Sequence, residues 1–382
     1  MELYIHIPFC RAKCRYCDFV SYPGREAFMG RYGELLLREA EARHGEAVEP
    51  IRTIYVGGGT PSLLPPALLR KVFDRLRSVF SFSDVEEFTI ETNPGTLSLE
   101  WLEAAQKTGA SRISMGMQTS QERLLKTLGR IHTMDQVRES VQMAREAGFR
   151  NLNLDLIFGI PGQTLSDWKE TLEEALVLDP EHLSCYGLIP EEGTPLWRDL
   201  ENGILTLPDP DEERSMYDLT LRLLSDAGYE QYEISNFAKK GFECAHNIGY
   251  WRQEQWLGLG AAATSMRGYR TEDGGITFIR RTNPDTLEGY EACVMGVRSP
   301  ETEIVSREDA RFETMMLSLR MMEGISEARF QALHGVSLES CYGEKLRSLE
   351  ARGLLYHEKS AWRLTRRGMD IQNAILVELM DD

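Results

Sequence analysis

Six short apolar runs alternate with amphipathic stretches through the first half of the chain, and this alternation constrains the fold more than any other feature. The runs are LYIHIPF, TIYVGGG, EFTIETN, RISMGMQ, NLNLDLIFG and HLSCYGL. Each is short and nearly continuously apolar, as buried parallel strands are. Helical patterns such as PPALLRKVFDRLRSVF lie between them. A β-then-α order repeated in this way predicts a parallel sheet, either open or closed into a barrel.

The residues best suited to ligand binding or catalysis lie where these predicted strands end. Cys10, the glycines of GGGTP, Asn93, Gln118 and Gly159 each stand at the end of a run. Because the carboxyl ends of parallel strands meet at one edge, we expect a single active site there. Gly109 and Gly148 follow two of the helical patterns and are predicted C-caps.

The pattern changes after about residue 205, and we predict three regions. Residues 1–235 form the α/β barrel, and residues 236–305 form a connecting segment rich in glycine and aromatic residues. Residues 306–382 read as short helices followed by a β-hairpin, which predicts a C-terminal α+β domain resembling a winged helix. Its helices are mixed in charge, so a packing or partner role is expected in place of DNA binding.

Composition excludes several classes of protein. The net charge of −17 and the absence of a dense Lys/Arg cluster argue against a nucleic-acid surface. The longest apolar runs fall well short of the roughly 20 residues that span a bilayer, and no signal peptide precedes Cys10. Seven cysteines, an odd number, fit thiolate ligands better than disulfides. We therefore expect a cytoplasmic protein.

Cys10, Cys14 and Cys17 form a CxxxCxxC motif with no fourth ligand nearby. A structural zinc site needs four ligands, usually two CxxC pairs, and no second pair occurs downstream. A [4Fe–4S] cluster held by three cysteines instead keeps one iron free to bind a substrate or cofactor. The basic residues between the cysteines favour thiolate and make an apolar packing role for the cysteines a poor alternative.

This motif, placed directly after a first strand and with Tyr16 before the last cysteine, resembles that of the radical S-adenosylmethionine (SAM) enzymes. In that family the free iron binds the amino and carboxylate groups of SAM, and an electron from the cluster cleaves SAM to a radical. The resemblance implies a partial (β/α)6 barrel of the TIM type, in agreement with the strands found above.

The resemblance continues in register through GGGTP, ETNPG, SMGMQ, GRIH and NLNLDLIFGIPGQT, which are motifs of the coproporphyrinogen-oxidase-like branch. Carried over position by position, it implies that SAM is contacted by Tyr4, Tyr16, Gly58, Gly59, Thr60, Glu91, Gln118, Arg130 and Asp155. Arg130 suits a carboxylate, while Glu91 and Asp155 suit ribose hydroxyls or the ammonium. Taken singly, each position is also explained by a structural ion pair or a strand-end cap.

Two activities compete within this branch. The oxygen-independent coproporphyrinogen III oxidases carry a fourth cysteine two residues after the third, where this chain has Phe19, and a long extension before the motif. Only nine residues precede Cys10 here. The chain resembles instead the short HemW subfamily of heme chaperones, which implies binding of heme and its delivery to an acceptor protein. A radical SAM heme methyltransferase is a further alternative.

A second motif, HNxxYW, supports the heme chaperone reading. It consists here of His246, Asn247, Tyr250 and Trp251. The resemblance implies a heme site, with His246 as an axial ligand of the iron, the two aromatic rings against the macrocycle, and Asn247 holding the imidazole or a propionate. Without the resemblance, a packing histidine is the simpler interpretation. The acceptor is expected to be a protein such as a respiratory enzyme, through which the chain would meet the membrane only peripherally.

Overall fold

The computed structural model describes residues 1–271 and 275–380 of the chain. Its strands, in chain order, are β1 Glu2–Ile7, β2 Phe9–Cys10, β3 Tyr22–Pro23, β4 Thr53–Gly58, β5 Glu87–Thr92, β6 Arg112–Gln118, β7 Asn151–Phe158, β8 His182–Gly187, β9 Glu230–Gln231, β10 Asn236–Ala238, β11 Trp256–Leu259, β12 Thr264–Arg270, β13 Ile276–Thr282, β14 Glu301–Ile304, β15 Ile325–Ser326, β16 Leu355–Glu358 and β17 Ala361–Leu364. Its α-helices are α1 Met29–Arg43, α2 Pro66–Val79, α3 Leu99–Lys107, α4 Glu122–Leu128, α5 Met134–Glu146, α6 Leu165–Val177, α7 Pro195–Glu201, α8 Pro210–Asp226, α9 Ala245–Trp251, α10 Leu287–Val294, α11 Arg307–Ser318, α12 Glu327–His334, α13 Leu338–Ala351, α14 Arg366–Asp370 and α15 Gln372–Leu379.

The central sheet has the order β14-β13-β12-β11-β1-β4-β5-β6-β7-β8-β10-β9. All neighbours from β11 to β8 are parallel, and the strands outside them pair antiparallel. The six predicted runs are the strands β1 and β4–β8, so the predicted parallel β/α barrel is confirmed. Because β9 and β14 lie at the two ends of this order, the barrel is partial and not closed.

The two faces of the barrel strands differ in polarity. On β7, Leu154 and Leu156 belong to the main hydrophobic core that the outer helices cover. Asn153 and Asp155 alternate with them, and Asn153 Nδ2 donates to Ser114 Oγ on β6 over 2.8 Å. Successive side chains of a strand point to opposite faces. The outer face is therefore apolar, while the inner face is polar and hydrogen-bonded.

Capping residues in the sequence set the ends of the helices that connect the strands. Thr133 and Thr164 cap α5 and α6, each in a capping box. Gly109 and Gly148, the predicted C-caps, follow α3 and α5 with φ of +95° and +96°. These caps fix where each connection begins, and so where the strand ends lie.

A second hydrophobic core lies in the last part of the chain. It joins α11, α12, α13 and α15 to the small sheet β15-β17-β16, with Phe330, Leu346 and Trp362 buried in it. Helices followed by the hairpin of β16 and β17 form the predicted winged-helix-like unit. Strands β11–β14, from the intervening region, extend the central sheet. The domain boundaries at residues 235 and 305 stay predictions. No helix in the described part of the chain is both long and apolar enough to cross a membrane.

Candidate functional site

The cysteine loop lies at the carboxyl edge of the barrel. Cys10 ends β2, and Cys14 and Cys17 follow in an irregular loop. The backbone of this loop is held by a neighbouring connection, since Arg15 N donates to Leu128 O at the end of α4 over 2.9 Å. The structure therefore places all three cysteines of the motif at the predicted site edge.

The three thiols are close enough to influence one another. Burial raises the pKa of Cys17 to about 11, and the charges of Cys14 and Cys10 raise it further. Metal binding relieves such a penalty because the metal replaces the protons. Thr60 Oγ1 also donates to Cys10 Sγ over 3.5 Å. This donor set fits an iron–sulfur cluster.

A single metal ion fits this edge less well. Among the described residues, no group of three or more His, Cys, Asp or Glu side chains is placed to hold one ion. The ligands of a cluster differ, because each thiolate binds a separate iron and the sulfurs stand around the cluster and not around one atom. With three thiolates in the motif, the cysteine loop is suited to a cluster in preference to a structural zinc ion, which takes four ligands.

The glycines of GGGTP are required by the barrel itself. Gly58 has φ of +104°, and a Cβ there would lie 2.3 Å from the ring of His6. A Cβ on Gly59 would lie 2.7 Å from the carbonyl oxygen of Phe9. Both glycines are thus required by close approach to their own chain, and the SAM contacts that the resemblance implies for them stay a prediction. The two glycines let β4 end against the cysteine loop.

Glu91 lies at the centre of this edge. Its Oε2 accepts from Gly58 N over 3.0 Å, and its Oε1 accepts from Tyr55 Oη over 2.8 Å. Burial raises the pKa of Glu91 to about 7, while these two hydrogen bonds lower it. Glu91 is therefore a buried carboxylate poised to gain or lose a proton near neutral pH.

Arg130 is joined to two other site residues in one network. Its Nη1 donates to Asn93 Oδ1 over 2.6 Å, and its Nη2 donates to Tyr16 Oη over 2.9 Å. Asn93 Nδ2 in turn donates to Thr60 Oγ1 over 2.7 Å. A cavity of about 120 Å³ opens beside these residues and Cys14. A guanidinium held in this way is ready to bind a carboxylate that enters the cavity.

The remaining predicted SAM residues line the barrel interior. Gln118 is buried at a β-bulge with φ of +66°, a strained conformation for a side chain that is not glycine. Asp155 accepts from Ser114 Oγ over 3.1 Å, and burial raises its pKa. Tyr4 Oη is paired with His6 Nδ1 over 2.9 Å. The structure thus gathers the cysteines and these residues around one edge and the space below it.

Sequence reasoning missed the polar residues deeper in the barrel. Arg112 is fully buried there, and His182 Nδ1 bonds to Asn153 Oδ1 over 2.6 Å. Tyr55 was missed as well. The sequence does carry a signal for these residues. Polar residues stand at every second position, as in NLNLD, within runs that were interpreted as continuously apolar, and this alternation indicates one polar face of the strand.

The HNxxYW motif lies at the opposite end of the barrel. It forms α9, whose His246 bonds through Nδ1 to Thr53 Oγ1 over 2.7 Å, and whose first amides donate to Glu87. Thr53 and Glu87 begin β4 and β5. Helix α9 therefore closes the amino-terminal end of the barrel, which we call the barrel floor. The structure does not bring this motif together with the cysteine loop.

The helix presents the motif on two faces. His246 and Tyr250 are four residues apart and pack ring against ring, 4.7 Å between centroids, toward the barrel. Asn247 and Trp251, also four apart, occupy the adjacent face, where Trp251 meets Arg320 of the C-terminal unit. In this conformation the four residues do not surround one space.

Tyr55 connects the barrel floor with the cysteine edge. Its ring stacks on His246 with centroids 5.1 Å apart and an interplanar angle of 25°. Its hydroxyl donates to Glu91, as described above. One side chain thus contacts both the motif helix and the carboxylate next to Gly58.

Comparisons with known proteins agree with this geometry. The model of the radical SAM superfamily matches residues 4–175, and the model of the HemN C-terminal domain matches residues 305–371. The heme chaperone HemW of Bacillus subtilis is 38% identical over 97% of this chain and 97% of its own length. That of Escherichia coli is 34% identical over 98% and 97%. The chain belongs to the HemW family.

A solved structure supports the fold of this HemW family member. Coproporphyrinogen III oxidase (HemN) from Escherichia coli, a radical SAM enzyme, superposes with a TM-score of 0.83 and covers 99% of this chain and 89% of its own. At 22% identity this likeness shows the fold alone. Membership of the radical SAM superfamily implies a [4Fe–4S] cluster and SAM as cofactors. When bound, the cluster supplies an electron and one iron open to SAM.

Proposed function

We propose that this chain binds heme, a [4Fe–4S] cluster and SAM, and transfers the heme to an acceptor protein. The observation that carries the proposal is the similarity along almost the whole chain to proteins named heme chaperone HemW. Phe19 supports it, because it stands exposed where the oxidase resemblance expects a fourth cysteine. The role is that of a chaperone, with no turnover of a porphyrinogen.

Each predicted residue at the carboxyl edge of the barrel has a separate role in this proposal. Cys10, Cys14 and Cys17 would hold the cluster. Arg130 would pair with the carboxylate of SAM, since Asn93 already orients its guanidinium. The other contacts would come from Tyr4, Tyr16, Gly58, Gly59, Thr60, Glu91, Gln118 and Asp155.

His246 would provide the axial ligand of the heme iron. Its Nε2 is buried and has no hydrogen-bond partner within the described part of the chain. Burial lowers its pKa to about 3, so the imidazole is neutral, as a metal ligand must be. Only 1% of the residue is exposed, so ligation requires α9 to move away from the barrel floor. Asn247, Tyr250 and Trp251 would complete the site.

The partner in this proposal is a heme-requiring protein such as a respiratory enzyme. Transfer would take place in the cytoplasm, and contact with a membrane would be peripheral and through the acceptor. The acidic balance of the chain, −17, gives no general affinity for nucleic acid.

The test uses anaerobically reconstituted wild-type protein and the His246→Gln variant, titrated with heme and followed by absorbance. Glutamine keeps a polar side chain of similar size in the buried site. His44→Gln is the matched control, because His44 is an exposed residue directly after the end of α1. We expect stoichiometric heme binding that is weakened in His246→Gln and unchanged in His44→Gln.

The same samples are then incubated with coproporphyrinogen, a reductant and SAM. The proposal expects no protoporphyrinogen. Formation of protoporphyrinogen would show an oxidase, and a heme-dependent turnover of SAM with a modified tetrapyrrole would show a methyltransferase. Absence of heme binding by the wild type would contradict the proposed function itself.

A further inference from the structure

A second cavity, of about 330 Å³, lies between the end of α9 and the C-terminal unit. Trp251 lines it from α9, Arg252 and Glu323 lie beside it, and Lys359 lines it from the turn between β16 and β17. We call it the Trp251 cavity. It is separate from the cysteine loop, which lies at the other end of the barrel.

Positive charge exceeds negative charge around the Trp251 cavity. Arg252 forms a bidentate pair with Glu323, with both N–O distances 2.8 Å. Arg329 donates to the backbone carbonyl of Arg252 but has no carboxylate partner in the described structure, and its buried Nε has no hydrogen-bond partner there. Lys359 likewise forms no ion pair within residues 1–271 and 275–380. Three cations, Arg252, Arg329 and Lys359, therefore line this space against one carboxylate, that of Glu323, in a chain whose net charge is −17.

Of the two cations without an ion-pair partner in the described structure, Arg329 is partly buried, whereas Lys359 is exposed to water. A charge that loses water without gaining a partner destabilises the fold. Burial lowers the pKa of Arg329, which reflects this cost. An anionic ligand in the cavity would remove it.

Trp251 gives the cavity a flat aromatic wall. One face of the Trp251 indole is covered by the guanidinium of Arg320, 4.5 Å from the ring centroid. The indole Nε1 is buried and has no hydrogen-bond partner among the described residues. The indole ring suits packing against the apolar part of a flat ligand.

The turn that carries Lys359 is a two-residue hairpin turn between β16 and β17, whose ordinary geometry has positive φ at both residues. Lys359 and Ser360 both have positive φ, +51° and +58°, where glycine and asparagine are preferred. Ser360 O accepts from Glu327 N over 3.1 Å, which fixes the turn against α12. The turn thereby keeps the Lys359 side chain at the rim of the cavity.

We propose that the Trp251 cavity binds the propionate edge of heme, with Arg329 and Lys359 pairing with the carboxylates and Trp251 forming the apolar wall. The inference rests on the heme function proposed above. The cavity volume suits one edge of a porphyrin and not the whole ring, so the iron would lie outside it. This assigns Trp251 to a different part of the ligand from His246.

The experiment compares heme with its dimethyl ester, in which both propionates are neutral. Wild type, Lys359→Met, Arg329→Gln and Arg329→Lys are titrated with each ligand by absorbance. Lys71→Met is the control, because Lys71 is exposed on α2, far from the cavity. Since Lys359 lies on a turn and forms no ion pair in the described structure, its loss is not expected to impair folding.

The wild type is expected to bind heme at least about tenfold more tightly than the ester, since a charge-assisted pair is worth this factor or more. Lys359→Met and Arg329→Gln should weaken heme binding by about tenfold and leave ester binding unchanged, and Arg329→Lys should restore part of the loss. Equal loss of heme and ester, or no loss in Lys359→Met, would overturn the cavity assignment while wild-type heme binding upholds the proposed function. Binding of neither ligand by the wild type would overturn both.

Discussion

Replacement of Tyr55 by phenylalanine tests the link between the barrel floor and the cofactor edge. The variant keeps the ring that stacks on His246 and removes only the hydroxyl that donates to Glu91 over 2.8 Å. Burial raises the pKa of Glu91 to about 7, and the Tyr55 hydrogen bond opposes that rise. A hydrogen bond to a charged group contributes about 1.5–3 kcal/mol, and about 1.4 kcal/mol corresponds to one pH unit. The variant should therefore keep Glu91 protonated to a pH about one to two units higher.

The assay is equilibrium binding of SAM to the reconstituted protein between about pH 5.5 and pH 8. The raised pKa means that the neutral acid predominates below about 7 in the wild type and the carboxylate above it. In the proposed SAM site, only the ionised form of Glu91 would attract the ammonium of SAM. Wild-type affinity should thus rise with pH around a midpoint near 7, while Tyr55→Phe at about pH 7.5 should bind SAM roughly 3- to 25-fold more weakly.

Tyr290→Phe is the matched control for this prediction. It also removes a buried tyrosine–glutamate hydrogen bond, from Tyr290 Oη to Glu39 Oε2 over 2.7 Å, but outside the barrel interior. Its pH curve for SAM should match the wild type. The reasoning would be refuted if Tyr55→Phe gave the wild-type curve, or if both variants moved it equally.

Three further outcomes follow from single side chains. Cys17→Ala should abolish iron and sulfide retention after anaerobic reconstitution, whereas Cys341→Ala should retain both; equal iron contents would contradict the cluster assignment. Gly249→Ala should lower the thermal unfolding midpoint by the equivalent of about 1–3 kcal/mol, because a Cβ there would lie 1.6 Å from the buried Glu2 Oε1. Gly30→Ala, in helix α1 with nothing within 4 Å of the added Cβ, should instead raise stability by about 0.4–1 kcal/mol, and calorimetry of both variants distinguishes packing from backbone effects.

The parallel barrel could be predicted because strand and helix patterns alternate without interruption. The runs that became β1 and β4–β8 are bounded by turns and caps, and each local preference agrees with the fold. The cysteine loop could be predicted for a similar reason, because the spacing of its three cysteines is a local property of the sequence. The structure adds that Gly58 and Gly59 are needed for contact with His6 and Phe9, which lie far from them in sequence.

The barrel interior and the placement of α9 were not predictable in the same way. A polar side chain in a strand shows which face it occupies, but not that Tyr55 meets Glu91 on one side and His246 on the other. The HNxxYW letters suggest one site, whereas helical geometry separates His246 from Trp251 on adjacent faces. Only the packing of α9 between the barrel and the C-terminal unit decides which space each face meets.

Helix α9 is seven residues long, and helices of two turns are marginal on their own in water. Its helical conformation is therefore stabilised by packing, against the barrel on one side and against the C-terminal unit on the other. An isolated peptide with the HNxxYW sequence, or a chain shortened before α11, would keep the sequence of the motif and lose the folded surface of α9. The arrangement of the motif side chains thus depends on the junction between the barrel and the C-terminal unit. A substitution on either side of that junction can change this arrangement while His246, Asn247, Tyr250 and Trp251 stay the same.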